Sequence, residues 1–257
     1  EVVVKRVAQE KITSSVLIAE GKPAQRGIDA KIKYLFEIDR LQLIPKELEG
    51  GRVDHRELSL IQNVKKGQAV AERTPPTPGI PGYNVKGDEI APTPGKDILI
   101  SLGKNVAWDE KRLLLRATSD GEPNLVGKRI SVQTLHQVNS NVGYGTGNID
   151  FNGSVYVRGD VENGFTVKAA GDVIVTGNID GGLVYADGNI TINGGIVGQD
   201  KSIIKCQGDL TARYIDHAQV DVGGEIRVRD TILHSQVNSG RKIVLGGRKG
   251  IIMGGII

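Results

Sequence analysis

The second half of the chain carries a repeat of 16 to 20 residues, and no other feature limits the fold as strongly. A glycine, a polar residue and an aliphatic residue recur as Gly153-Ser-Val, Gly171-Asp-Val, Gly188-Asn-Ile, Gly208-Asp-Leu and Gly224-Glu-Ile. The aliphatic residues align in a column that continues one repeat further: Val155, Val173, Ile190, Leu210, Ile226 and Ile243. Self-similarity at a fixed period is typical of a stacked repeat protein.

Four further aliphatic columns keep the same register, and pairs of them lie two residues apart. Side chains two residues apart point to one side of a strand, while the residue between them points outward. Neighbouring turns would stack about 4.8 Å apart as parallel strands. We therefore predict a single-stranded β-helix of about six rungs. The uneven gaps favour the right-handed form, because a left-handed hexapeptide solenoid keeps 18 residues in every turn.

Composition divides the chain in two. All nine prolines lie between Pro23 and Pro123, whereas 23 of the 35 glycines lie from Gly143 onward. Proline removes a hydrogen-bond donor from a sheet, which explains its absence from the rungs. We predict a smaller β-rich N-terminal domain over residues 1–137 and the β-helix over residues 138–257. The apolar spacing between Ala30 and Ile44 predicts one short helix.

Charge and cysteine content exclude several classes of protein. The chain has 33 basic and 30 acidic residues, a balance that does not indicate nucleic-acid binding. No apolar run is long enough for membrane insertion, and no secretory signal pattern is present. The single cysteine, Cys206, excludes a disulfide framework and lies in a column of small core residues, so we expect an inert buried thiol. We predict no cofactor.

Two pairs of residues are candidates for chemistry. His217 and His234 align on adjacent rungs, where they provide two of the three or four ligands that a metal site usually needs. Asp209 and Glu225 align on adjacent corners, about 5 Å apart, the carboxylate separation of a retaining glycosidase. We favour the structural interpretation of both pairs, as a stacked ladder of imidazoles and as tight-turn residues. His55 and His136 have no visible partner.

Two further sets of residues are candidates for contacts and turns. Basic residues concentrate in the last rungs and form a candidate surface for an acidic protein partner: Arg213, Arg227, Arg229, Arg241 and Lys242, followed by Arg248 and Lys249. A dense turn motif in the front half contains Pro78, Gly79, Pro81, Gly82 and Gly87. The last residues, 251–257, are apolar and stop within a rung, so we expect them to need a cap, a tail or a second copy of the chain.

Several motifs together resemble the flagellar assembly protein A family. They are Val53-Asp-His-Arg-Glu-Leu, Asn63-Val-Lys-Lys-Gly-Gln, Pro78-Gly-Ile-Pro-Gly-Tyr-Asn-Val-Lys-Gly, Gly147-Asn-Ile-Asp-Phe-Asn-Gly-Ser-Val and Lys249-Gly-Ile-Ile-Met-Gly-Gly. The resemblance implies an N-terminal β-rich domain joined to a right-handed β-helix, often with a helical tail. It also implies a cytoplasmic role in building or placing flagella, and it supplies no catalytic residue. The repeat alone is similar to bactofilins, which polymerise end to end.

The functional expectation is a non-enzymatic scaffold that binds protein partners through its β-helix faces or its N-terminal domain. We expect it in the cytoplasm, with the cell pole as the narrower location. Formation of a homo-oligomer through an end or a face of the solenoid is left as an open alternative. Two alternatives remain. One is an acyltransferase-like enzyme that uses His217 or His234, since hexapeptide acyltransferases place a histidine on a solenoid turn. The other is a bactofilin-like polymer.

Overall fold

The computed structural model describes residues 17, 19–38, 46–48, 52–54, 61–247 and 250–257. These residues form 26 strands and no helix. Strands up to Gln133 form small sheets in an N-terminal region, and later strands form a solenoid of about seven turns between residues 135 and 256. Within these ranges no helix exists that has the length and apolar character needed to cross a membrane.

The N-terminal region is a set of small sheets around a small core. Its strands are β1 (Lys31–Tyr34), β2 (Lys46–Leu48), β3 (Arg52–Asp54), β4 (Ala69–Thr74), β5 (Gly82–Tyr83), β6 (Glu89–Ile90), β7 (Ser101–Leu102), β8 (Val106–Trp108), β9 (Leu114–Ala117), β10 (Glu122–Val126) and β11 (Arg129–Gln133). The largest sheet has the antiparallel order β1-β4-β9-β8. Strands β10, β11 and β7 form a second sheet, and β2–β3 and β5–β6 form two-stranded ribbons.

The short helix predicted between Ala30 and Ile44 is wrong over its described part. Residues Lys31–Tyr34 form β1, which pairs antiparallel with β4. Ile32, Tyr34 and Phe36 pack against the core at alternate positions, with exposed residues between them. This spacing of two is the pattern of a strand, and the exposed Leu35 gave the false helical spacing. Residues 39–44 lie outside the described residues.

The solenoid contains the remaining strands. They are β12 (Leu135–Val138), β13 (Ile149–Phe151), β14 (Ser154–Val157), β15 (Thr166–Ala169), β16 (Val173–Val175), β17 (Ile179–Asp180), β18 (Leu183–Ala186), β19 (Ile190–Ile192), β20 (Ile196–Val197), β21 (Ile203–Cys206), β22 (Leu210–Asp216), β23 (Gln219–Val222), β24 (Ile226–Ser239), β25 (Ile243–Leu245) and β26 (Ile251–Ile256). All their pairings are parallel and join equivalent positions of successive turns.

The solenoid has three faces, which we name A, B and C. Face A stacks β12, β14, β16, β19, the starts of β22 and β24, and β25. Face B stacks β13, β15, β18, β21, β23 and the end of β24. Face C stacks β17, β20, the end of β22, the middle of β24 and β26. Strands β22 and β24 are long because they continue around corners.

The predicted columns are the rows of the core, and the β-solenoid is confirmed. Val155 pairs with Val173, Val173 with Ile190, and the row continues through Leu210 and Ile226 to Ile243. All members are buried except Ile243 on the last turn. The structure adds one turn, at β12. The sequence repeat did not predict this turn because no glycine corner precedes it. The right-handed sense and the boundary at residue 137 stay predictions.

The N-terminal region covers the first strand of face B. The Asn63 Nδ2 donates to the Asp150 carbonyl oxygen at 3.0 Å, and the Asn152 backbone N–H donates to the Asn63 Oδ1 at 3.1 Å. The Asn63 side-chain amide therefore binds two backbone groups of this edge. The Asn152 Nδ2 adds a bond of 2.7 Å to the Val64 carbonyl oxygen. An open sheet edge invites unwanted pairing, which this contact prevents.

His136 has a partner that its sequence position did not reveal, so the expectation of none is wrong. Its Nδ1 lies 3.1 Å from the Glu122 Oε2, and both side chains are mostly buried. Glu122 belongs to β10 and His136 to β12, so the pair joins the N-terminal region to the first turn of the solenoid. His55 lies outside the described residues.

Candidate functional site

The acidic corner of the solenoid is a ladder of hydrogen bonds. Each side-chain oxygen in this row accepts the backbone N–H of the corner residue on the next turn. Asp172 N–H donates to Ser154 Oγ at 3.1 Å and Asn189 N–H to Asp172 Oδ1 at 2.7 Å. The row continues with bonds of 2.9 Å from Asp209 N–H and 2.8 Å from Glu225 N–H. These contacts support the turn interpretation of Asp209 and Glu225.

Glu225 is buried and is engaged by two cations. Arg227 Nε lies 2.7 Å from its Oε1, and Lys242 Nζ lies 3.1 Å from its Oε2. The guanidinium of Arg227 also lies 3.6 Å from the Asp209 Oδ2. Both oxygens of each carboxylate therefore have a partner within the protein. A glycosidase needs one carboxyl to carry a proton and the other to reach the sugar, and this arrangement favours neither task.

Four of the five cations predicted to contact an acidic partner are paired internally. Besides Arg227 and Lys242, Arg213 Nε lies 2.8 Å from Asp230 Oδ2, and Arg229 Nε lies 3.3 Å from Asp230 Oδ1. The hydrogen bond from Arg213 lowers the pKa of the Asp230 carboxyl. In the described part of the chain, Arg241 alone of the five makes no ion pair. An acidic partner would therefore compete with the protein's own carboxylates.

A second hydrogen-bonded corner was missed by the sequence analysis. Asp160 N–H donates to Asn141 Oδ1 at 3.0 Å, and Asn178 N–H donates to Asp160 Oδ1 at 2.7 Å. Asn178 Oδ1 in turn accepts the Gly195 N–H at 2.9 Å. The sequence did contain a pattern that predicts this corner. A short polar residue directly precedes each buried aliphatic residue of one column, at Asn141, Asp160 and Asn178.

The two histidines lie next to each other at the corner that ends face C. The ring centres of His217 and His234 are 5.0 Å apart, with planes inclined by 37°. His217 Nδ1 lies 2.7 Å from Asp216 Oδ1. Both histidines have a left-handed backbone, with φ of 47° and 45°. Gly181 and Gly254 stand at this corner on other turns, with φ of 66° in each case.

The histidine pair lies outside the groove on face B. Over the described ranges, no three His, Cys, Asp or Glu side chains are gathered closely enough to hold a metal ion by themselves. His234 is exposed and His217 is partly exposed, with the Asp216 carboxylate beside His217.

A groove with a volume of about 970 Å³ runs along face B. Its floor is the outward row of this face: Asp150, Lys168, Tyr185, Lys205 and Asp221. Lys168 Nζ lies 6.0 Å from the Tyr185 ring centre, and Lys205 Nζ lies 3.9 Å from Asp221 Oδ2. The sequence predicted an outward polar row here but gave no sign that it was concave.

Cys206 lies beneath this groove and has the properties expected of an inert thiol. The residue is 5% exposed, and burial raises the pKa of its thiol to about 11. A thiol with this pKa is almost entirely protonated near neutral pH, so it is a poor nucleophile and a poor metal ligand.

The turn motif of the N-terminal region forms a tightly held hairpin, β5–β6. A Cβ at Gly82 would collide with the backbone of Lys22 and Ala24, and one at Gly79 would lie 2.7 Å from the Gln25 carbonyl oxygen. Gly87 closes the turn with φ of 90°. Pro78 and Pro81 flank these contacts in the sequence and limit the freedom of the chain there.

Asn84 holds the turn of the same hairpin. Its Oδ1 accepts the backbone N–H groups of Lys86 and Asp88, both at 2.9 Å, and its Nδ2 donates to Asp88 Oδ2 at 2.8 Å. The hairpin nevertheless leaves apolar side chains in solvent, since Tyr83 is 47% and Val85 is 64% exposed. A rigid turn that displays apolar groups is typical of a contact surface.

Both parts of the chain match known family models. Residues 134–257 match the model described as Flagellar Assembly Protein A beta solenoid domain, and residues 1–128 match the model described as Flagellar Assembly Protein A N-terminal region. No curated protein and no solved structure matches the chain.

Proposed function

The chain belongs to the flagellar assembly protein A family, and from this membership we propose that it is a non-enzymatic scaffold. In this proposal the N-terminal region binds a protein of the flagellar assembly machinery, and the solenoid is a stiff arm that holds this region in place. The proposed location is the cytoplasm, at the cell pole. Of the two binding surfaces that the sequence left open, the β-helix faces and the N-terminal domain, the proposal takes the second.

The distribution of exposed apolar side chains carries the proposal. Among the described residues, thirteen large hydrophobic side chains between positions 17 and 133 are exposed, against eight between positions 134 and 257. Three of these eight are Leu135, Tyr144 and Val244, and the other five lie at the end of the solenoid: Ile251, Ile252, Met253, Ile256 and Ile257. Because concentrated apolar exposure marks protein interaction sites, we assign the partner contact to the N-terminal region.

Within that region the β5–β6 hairpin is the contact we favour. Its glycine contacts and the Asn84 bonds fix the backbone, so few degrees of freedom would be lost when a partner binds. Less entropy lost on association leaves more of the interaction energy as affinity. Ile80, Tyr83 and Val85 lie within six residues of one another and are each about half exposed or more.

The state of the reactive groups supports a scaffold over an enzyme. Asp209 and Glu225 accept bonds and ion pairs from the protein itself, and Cys206 is buried with a raised pKa. His217 and His234 lie at a corner of the solenoid and do not line the groove on face B. An active site brings its reactive groups together in a concave, shielded place. Here the carboxylate pair, the thiol and the histidine pair are three separate sets.

Complementation of a flagellated strain that lacks the gene tests the proposal. The whole chain should restore flagella, counted by electron microscopy, and the variant Ile80→Ser with Val85→Ser should not. The matched control, Leu135→Ser with Val244→Ser, removes two exposed apolar side chains from the solenoid and should restore the wild-type count. Equal urea midpoints would show that all three proteins are folded.

Two outcomes would contradict the proposal. If the deletion leaves the flagellar count unchanged, the flagellar role is wrong. If the hairpin variant restores the wild-type count, the assignment of the contact to the hairpin is wrong. A photo-crosslinking residue at Val85 should capture a flagellar assembly protein, while the same residue at Val244 should not.

A further inference from the structure

The histidine pair has no part in the proposed scaffold role, and its backbone is unfavourable for its residue type. A left-handed conformation suits glycine, which stands at this corner as Gly181 and Gly254, and it strains residues with a Cβ. His217 and His234 adopt it on two successive turns. Residues kept in such a conformation are concentrated at functional sites, so this corner is a candidate for one.

The spacing of the two rings matches that of two ligands on one metal ion. A Zn–N bond of about 2.0–2.1 Å and a tetrahedral angle place the centres of two bound imidazoles about 5 Å apart. The ring centres of His217 and His234 are 5.0 Å apart. The parallel register of β22 and β24 sets this distance, because it stacks the two residues on adjacent turns.

One nitrogen of the His217 ring is engaged, which leaves the other for a ligand. His217 Nδ1 lies 2.7 Å from Asp216 Oδ1, so it carries the proton and Nε2 keeps its lone pair. A carboxylate bound to the far nitrogen is the usual support of a metal-binding histidine. His234 Nδ1 faces Gly254, where an added Cβ would lie 2.5 Å away, so glycine leaves room for the ring.

We propose that His217 and His234 bind one divalent transition-metal ion through their Nε2 atoms, with Asp216 as the positioning residue for His217. Imidazole nitrogens suit zinc, copper and nickel, and zinc is the probe we would use. Two protein ligands leave the remaining coordination positions to water. This agrees with the lack of any three-residue metal cluster in the described ranges.

Calorimetric titration of the untagged full chain with Zn²⁺ tests the proposal. The wild type should bind one equivalent. Asp216→Asn should weaken binding by about 10–100-fold, the usual effect of removing the support of a ligand. His217→Gly and His234→Gly should each weaken it by more than this. Glycine is the replacement because Gly181 and Gly254 show that the corner accommodates it.

Gln199→Gly is the matched control. Gln199 also has a left-handed backbone, with φ of 49°, but it has no imidazole, so its replacement should leave the zinc affinity unchanged. Urea midpoints measured without zinc would confirm that each variant is folded. The proposal is overturned if the wild type binds no zinc, or if the double variant His217→Gly with His234→Gly binds it as tightly as the wild type. Wild-type affinity in Asp216→Asn would overturn the role of Asp216.

Discussion

The two regions of this protein are stabilised in different ways. Among the described residues, the solenoid has a core of 30 buried residues in continuous rows, with side-chain ladders at two of its corners. The N-terminal region has a core of eight buried residues, and its loops are held by glycines that approach the backbone of distant segments. A repeating core shields its apolar groups turn by turn, whereas a small core leaves many of them exposed.

The chain contains one natural probe for each region. Its only tryptophan, Trp108, lies in β8 of the N-terminal region, and its only cysteine, Cys206, lies in β21 of the solenoid. Tryptophan fluorescence therefore reports unfolding of the first region. The rate at which a reagent modifies the buried thiol reports opening of the second. The two signals allow the comparison to be tested one region at a time.

The largest expected effect comes from removing core volume in each region. Ile190→Ala in the solenoid and Leu115→Ala in the N-terminal region change residues that are 1% and 0% exposed. Each should lower the free energy of unfolding in urea by about 2–5 kcal/mol, because the truncation loses apolar contact and leaves a cavity. Ile190→Ala should speed the labelling of Cys206 more than Leu115→Ala does.

Equal labelling rates in these two variants would contradict separate stabilities of the two regions. They would show that both regions unfold as one cooperative unit, joined by the bonds of Asn63 and the Glu122–His136 pair. Unequal rates together with an unshifted Trp108 transition in Ile190→Ala would show that the solenoid opens while the N-terminal region stays folded.

Gly27→Ala tests the glycine contacts of the N-terminal region. The added Cβ would collide with the Thr77 carbonyl oxygen and lie 2.6 Å from the Gly95 backbone nitrogen. Backbone atoms cannot rotate away as a side chain can, so we expect a loss of about 1–3 kcal/mol in the Trp108 transition. Gly145→Ala is the control, since nothing lies within 4 Å of its Cβ position. A silent Gly27→Ala would show that these loops adjust easily.

The same contrast explains what the sequence predicted. The solenoid could be identified because its contacts join residues 16 to 20 apart, so the pattern repeats along the chain and can be aligned with itself. The rows through Val155 and Ile149 followed directly. The concave form of face B could not be predicted, because it depends on the path of the turns rather than on the residues that point outward.

The N-terminal contacts are long-range and occur once each, so no pattern in a single sequence reveals them. Gly27 contacts residues 77 and 95, and Glu122 reaches His136 across the junction. The false helix near Lys31 has a related cause. Its apolar residues fit both a helical spacing and the spacing of two that a strand has. Pairing with β4 selects the strand. Tertiary contacts decided the structure there.

Asp209→Ala should have a smaller effect on the solenoid, about 1 kcal/mol. The substitution removes the acceptor of the Glu225 backbone N–H, and one such hydrogen bond contributes about this much. Asp209→Asn should keep the stability of the wild type in urea, because Asn189 fills the same place one turn earlier. If Asp209→Asn is as unstable in urea as Asp209→Ala, the charge of Asp209 beside Arg227 contributes more to stability than its hydrogen bond does.

The smallest effect concerns acid stability and again separates the regions. Hydrogen bonds from Arg73, both at 2.7 Å, lower the pKa of Asp97 in the N-terminal region, as Arg213 does for Asp230 in the solenoid. A carboxyl with a lowered folded-state pKa stabilises the fold above its ordinary pKa, 3.8, and this contribution is lost as the pH falls through the folded value.

Asp97→Asn should therefore reduce the slope of the Trp108 urea midpoint against pH below about pH 4, because the neutral amide has no charge to lose. Asp230→Asn, which removes the equivalent carboxylate from the solenoid, should leave that slope as it is in the wild type. Both carboxylates are at least 40% exposed, so added salt should weaken both effects. If both variants change the Trp108 slope equally, the acid response belongs to the chain as a whole, and the N-terminal region does not titrate independently of the solenoid.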